Sequence, residues 1–218
     1  MRDRDRQMHW EILSYVGVIT FAVSGAIIAM EEGYDLFGVL FLGLITAFGG
    51  GIIRNLMIGI PVSNLWTQGP LLHIAAIAVI VVFLLPLRWI HRWKYLEPIL
   101  DAVGLAAFSI QGALLAVAMD FPKTAIIFAA MATGVGGGVI RDVLAGRKPV
   151  VFRDEVYAAW ACLSGLICSF HLVQTTFQSL LLLAAIVALR LISYYFSWKI
   201  PRRQLSRDRY RSGANTPL

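Results

Sequence analysis

A nine-residue motif stands twice in this chain. FGGGIIRNL runs from Phe48 to Leu56 and VGGGVIRDV from Val135 to Val143, with five of nine positions identical at an offset of 87 residues. The same offset pairs Gly17 with Gly104, Phe21 with Phe108, Gly25-Ala26 with Gly112-Ala113, Ala29 with Ala116, Thr46 with Thr133 and Gly59 with Gly146. Two copies of one unit therefore make up most of the sequence. Each copy holds three apolar segments and a seventh segment follows, at about 10–30, 36–58, 69–87, 98–119, 122–145, 155–172 and 177–198. Each is near the roughly 20 residues that a bilayer requires. Three is odd, so the second copy enters the membrane from the side opposite to the first, and the two form an inverted repeat. The expected fold is an all-α membrane protein of seven transmembrane helices. Its parts are a first repeat over 9–96, a second over 97–174, a seventh helix over 175–198 and a basic tail over 199–218.

Composition excludes a soluble domain. Of the 218 residues 58% are hydrophobic and 15% charged, where soluble domains carry about 25% charged residues. The net charge of +6 does not read as a nucleic-acid footprint, because the basic residues sit in short loops and in the tail. One side of the membrane collects Arg88, Arg92, Lys94, Arg147, Lys148, Arg153, Lys199, Arg202, Arg203, Arg207, Arg209 and Arg211. The other has Arg2, Arg4, Arg6 and Lys123. The positive-inside rule then puts the C-terminus in the cytoplasm and the N-terminus outside, in a multi-pass protein of the cell membrane. Trp10, Trp66, Trp89, Trp93 and Trp198 fall at expected helix ends, as an aromatic belt does. Membrane lipid is the expected surroundings, and the basic tail can touch its anionic head groups.

The glycine triplets carry the functional expectation. Gly49, Gly50 and Gly51, with Gly136, Gly137 and Gly138, fall inside the second and fifth helices. Each glycine costs a helix about 1 kcal/mol relative to alanine. Helices 2 and 5 are therefore expected to break at the triplets, exposing backbone where it lines a path. Close helix packing is the other reading of the same glycines. Arg54 and Arg141 follow each triplet at the same spacing, and Arg141 is followed by Asp142. Both arginines are candidates for a structural or gating role, either holding carbonyls freed at a break or guarding a pore mouth. Ser24 and Gln111, repeat-equivalent to one another, and Thr46 and Thr133 are candidate pore-lining groups.

Nothing in the sequence points to an enzyme. Cys162 and Cys168 lie in one apolar segment, and His9, His73, His91 and His171 are scattered. No metal-ligand spacing, nucleophile or base constellation emerges, so neither a metal nor a cofactor is expected.

GGGxxRD within a three-plus-three-plus-one helix pattern resembles the TRIC family, the trimeric intracellular cation channels, and in particular their bacterial members, which also carry a glycine-transporter label. The resemblance spans about residues 9–198. It implies a homotrimer with a potassium-permeable path in each subunit, and kinked second and fifth helices lining that path at the two glycine triplets. Asn55 stands where the second copy has Asp142, and the lysine-glutamate motif of the animal members is missing here. Voltage sensing and calcium regulation are therefore not expected. The expected function is a channel for potassium or other monovalent cations, binding no nucleic acid. A secondary transporter of glycine or another small zwitterion is the alternative, its carboxylate held at half-helix N-termini.

Overall fold

A computed structural model describes residues 2–86, 96–153 and 156–198, with side chains from residue 8 onward. The basic loop carrying Arg88, Arg92 and Lys94, with Trp89, Trp93 and His91, lies outside the described residues. So do the side chains of Arg2, Arg4 and Arg6 and the tail from Lys199. Among the described residues there are eight α-helices and no strand. They are α1 (Arg2–Glu31), α2 (Leu36–Met57), α3 (Gly69–Leu84), α4 (Glu97–Ala118), α5 (Lys123–Leu144), α6 (Val150–Arg153), α7 (Tyr157–Ser169) and α8 (Thr176–Tyr195). A 3-10 helix, Val62–Gln68, leads into α3.

Local chemistry sets the ends of these helices. The Asp35 side chain caps α2 by accepting from the Gly38 amide, and Thr175 and Gln178 form a reciprocal capping box at the start of α8. Proline stands in the first turn of α3 and α4, where its missing N–H costs nothing. α2 and α5 stop in the same way. Gly59 and Gly146 take φ of 74° and 71°. The amides beyond them close back, Ile60 to the Asn55 carbonyl at 2.9 Å and Arg147 to the Asp142 carbonyl at 2.7 Å. That is the glycine-dependent left-handed helix stop, and it explains why Gly59 and Gly146 recur at the repeat offset.

Among the described residues, six helices are long and apolar enough to cross a membrane: Met8–Glu31, Leu36–Met57, Val62–Leu84, Glu97–Ala118, Lys123–Leu144 and Thr176–Tyr195. The segment expected over 155–172 gives only the 13-residue α7, and the short α6 stands before it. At 1.5 Å per residue α7 is about 20 Å long, short of the roughly 30 Å hydrocarbon core. It ends where His171 adopts a φ of 56°. Large apolar side chains face outward, among them Phe37, Phe41, Ile77, Leu84, Phe177 and Leu181. An apolar exterior on this scale suits lipid and not water.

α1 and α4 form the centre. Their spanning segments are each 72% buried, against 17% for Val62–Leu84 and 28% for α8. α1 packs on α2, α3 and α4, while α4 packs on α1, α5, α7 and α8. Phe21 and Phe108 meet edge to face at 5.3 Å where α1 crosses α4. A Cβ on Gly17 would come within 2.5 Å of the Phe108 ring, and one on Gly104 would strike the Phe21 ring. The contact is reciprocal, and residue numbers rise along one helix as they fall along the other, so α1 and α4 are antiparallel. On one face Arg147 donates to Glu32 at 2.6 Å and to Glu31 at 2.8 Å, and Tyr34 Oη donates to the Leu144 carbonyl at 2.8 Å. These bonds tie the end of α1 to the end of α5.

The expected breaks in the second and fifth helices are absent. α2 runs unbroken through Gly49–Gly51 and α5 through Gly136–Gly138. The reason is what the glycines touch. α2 and α5 cross with their triplets face to face, and a Cβ on Gly136 would lie 3.0 Å from the Gly50 Cα. Backbone-to-backbone packing offsets the low helix propensity of glycine.

Candidate permeation site

The α2–α5 crossing is reciprocal like the α1–α4 one. A Cβ on Gly50 would collide with the Thr133 carbonyl, and one on Gly137 with the Thr46 carbonyl. Only glycine fits at either position. Thr46 and Thr133 are buried, and each hydroxyl donates to its own helix, to Leu42 and Ala129 carbonyls at 2.6 Å. Gly25 packs on the Thr46 side chain and Gly112 on that of Thr133. The middle of the crossing is thus closed by packing. The third glycine of each triplet is roomier. The nearest atom to a Cβ on Gly51 would be Arg54 Nη2 at 3.7 Å. On Gly138 the neighbours would be Tyr157 Oη at 3.5 Å, Asp101 Oδ1 at 3.7 Å and Arg141 Nη2 at 3.9 Å.

The two arginines sit in separate polar clusters. Arg141 is fully buried at 0% exposure. Its Nε donates to Asp142 Oδ1 at 2.8 Å, and its Nη1 donates to Ser24 Oγ at 2.6 Å and to Asp101 Oδ1 at 3.3 Å. Asp142 Oδ2 in turn accepts from the Val150 amide at 3.0 Å, anchoring the start of α6. Two carboxylates around one guanidinium give the cluster a net negative formal charge. Arg190 of α8 lies over the Tyr157 ring, 4.8 Å from its centroid.

Arg54 has a different setting. Nε and Nη2 donate to Asn55 Oδ1 at 3.1 and 2.9 Å, and the residue is 5% exposed. None of the ion pairs found among the described residues includes it. Beside it lies a cavity of about 40 Å³ whose lining includes the polar residues Trp10, Ser14, Arg54, Asn55, Gln68, Gln111 and Thr133. Gln111 Nε2 donates to Ser14 Oγ at 2.5 Å across α1 and α4. Trp10 also borders a wider groove of about 770 Å³ with His9, Asp120, His171 and Gln174, so the cavity adjoins the face where α1 begins.

Several expectations change against this geometry. The arginines hold side chains and not carbonyls freed at a helix break, since neither helix breaks. Ser24 and Gln111 lie at the two different clusters, Ser24 on Arg141 and Gln111 at the Arg54 cavity. Asp101, legible in the sequence only as a helix-end acid, is a partner of Arg141. Tyr157 was not foreseen. A tyrosine opening an apolar helix carries no signal that it lies against a buried arginine from another helix.

Comparison with known proteins agrees with this architecture. The family model described as Glycine transporter matches twice, over residues 11–87 and 98–174. The UPF0126 membrane protein YvgT of Bacillus subtilis is 53% identical over 201 residues, covering 92% of this chain and 100% of that protein. The UPF0126 inner membrane protein YadS of Escherichia coli K12 is 33% identical, covering 89% and 95%. Among solved structures, a prokaryotic TRIC channel in 0.5 M KCl superposes with a TM-score of 0.79 at 33% identity, over 89% of this chain and all of that one. The trimeric intracellular cation channel orthologue from Rhodobacter sphaeroides gives 0.76 at 26% identity, over 87% and 98%. With its two matched copies and its relatives aligned over nearly their whole length, the chain belongs to the glycine-transporter family of UPF0126 membrane proteins and has the fold of the prokaryotic TRIC channels.

Proposed function

We propose that the protein is a monovalent cation channel that passes potassium, assembled as a homotrimer with a path inside each subunit. The observation that carries this reading is the likeness to TRIC cation channels over about nine-tenths of the chain at identities of 33% and 34%. We read the chain as an inverted repeat, 9–96 and 97–174, with 175–198 added as the seventh helix and α7 as a short sixth crossing. The reciprocal contacts of Gly17 with Phe108 and Gly104 with Phe21, and of Gly50 with Thr133 and Gly137 with Thr46, support that division. The N-terminus is placed outside and the C-terminus in the cytoplasm of the cell membrane, on the basic-residue distribution.

The path runs beside the α2–α5 crossing and not through it. Gly50 and Gly137 are in backbone contact, whereas Gly51 and Gly138 have room and face the arginine clusters. Arg54 near one end and Arg141 with Asp142 near the other are the candidate gating groups, and Ser24, Gln111 and Thr133 border the two clusters. The transporter reading is the weaker one: neither helix is broken into halves whose N-termini would hold a carboxylate. Potassium flux into liposomes carrying the purified protein tests the channel reading. Glycine uptake that saturates with substrate, without potassium flux, would reverse it.

A further inference from the structure

The two arginine sites are related by the repeat, and subtracting one from the other exposes a missing charge. Arg141 is held by Asp142, Asp101 and Ser24. At the 87-residue offset these become Asn55, Ser14 and Gln111 around Arg54. Both carboxylates are replaced by neutral groups, yet the second guanidinium is buried almost as deeply as the first. In place of the acid contacts, Ser14 and Gln111 bond to one another and Asn55 supplies one amide oxygen. A buried charge without a counter-charge is far costlier than a paired one.

The cavity lies where the counter-charge is missing. Its lining contains no acidic residue, and it presents the Arg54 guanidinium with the amides of Asn55, Gln68 and Gln111 and the indole of Trp10. Asn55 accepts through Oδ1, which leaves its –NH₂ as a donor. A water needs about 10–15 Å³ of such space, so about 40 Å³ admits one halide with a water but not a bulky organic acid. We propose that this cavity binds a small inorganic anion of halide size as the counter-charge of Arg54. Its role rests on the channel reading. A bound anion cancels the positive charge at that end of the path, which would otherwise repel entering cations.

Asn55→Asp provides the control, because it installs the carboxylate that the second copy has in Asp142. Purified protein in gluconate is titrated with bromide at constant ionic strength while its thermal unfolding midpoint is followed. The wild-type midpoint rises and saturates with bromide, as a ligand bound to the folded state requires. The rise is lost in Asn55→Asp and in Arg54→Gln. Crystals soaked in bromide show an anomalous peak between Arg54 and Gln111. No rise in the wild type, an equal rise in Asn55→Asp, or a rise produced by glycine instead of bromide would overturn the proposal. Potassium flux is then compared in chloride and in gluconate. Wild-type flux falls in gluconate, and Asn55→Asp flux is the same in both. Equal wild-type flux in the two anions would overturn the role at the path. Absence of flux in both would remove the channel reading and leave the bromide shift as a separate result.

Discussion

Adjacent glycines in α2 should respond to alanine with opposite signs. At Gly50 the new methyl meets the Thr133 carbonyl, which belongs to the backbone of α5 and has no rotamer to move into. Relief requires the two helices to separate. Overpacking of this kind costs roughly 1–3 kcal/mol, and the gain in helix propensity returns about 1 kcal/mol, so Gly50→Ala is destabilising by up to about 2 kcal/mol. At Gly51 the nearest neighbour of a Cβ is 3.7 Å away. The methyl fits there, and the propensity gain of up to about 1 kcal/mol remains. The second copy repeats the contrast, with Gly137 against the Thr46 carbonyl and Gly138 at 3.5 Å from Tyr157 Oη. Reversible unfolding in mixed detergent micelles, followed by circular dichroism, measures all four variants. Equal stability of Gly50→Ala and Gly51→Ala would refute the packing account of the triplets.

Arg141→Gln leaves the buried carboxylates of Asp101 and Asp142 facing one another without a cation, and should cost about 3–5 kcal/mol in the same unfolding assay; Arg54→Gln orphans no carboxylate and should cost clearly less. Arg147→Ala removes a partly exposed pairing with Glu31 and Glu32, and should cost at most about 1 kcal/mol, a loss that shrinks as salt is raised. A reporter fused after Leu218 should be active only on the cytoplasmic side, and activity on the opposite side would reject the orientation.

The helices and their order were legible because apolar length and the 87-residue duplication are both one-dimensional signals. Gly59 and Gly146 could be paired from the sequence, and their shared role at helix ends follows from their left-handed backbone. The glycine triplets were located, but the sequence did not decide between a helix break and close packing. Propensity predicts a break, and only the facing helix shows that the freed surface is filled by another backbone. Arg141 was visible with its neighbour Asp142, while Asp101 and Ser24 come from α4 and α1, 40 and 117 residues away. Pairings across that separation are set by packing and leave no local pattern. The length of α7 was also hidden, since its flanking residues are apolar enough to extend the segment on composition alone.

Current across a planar bilayer containing the purified protein tests the central claim most directly. The account predicts discrete unitary steps in potassium solution that reverse at the potassium equilibrium potential when potassium is the sole permeant cation, because a path inside each subunit conducts many ions per opening. A membrane that stays silent in potassium while the same folded preparation accumulates glycine would contradict it.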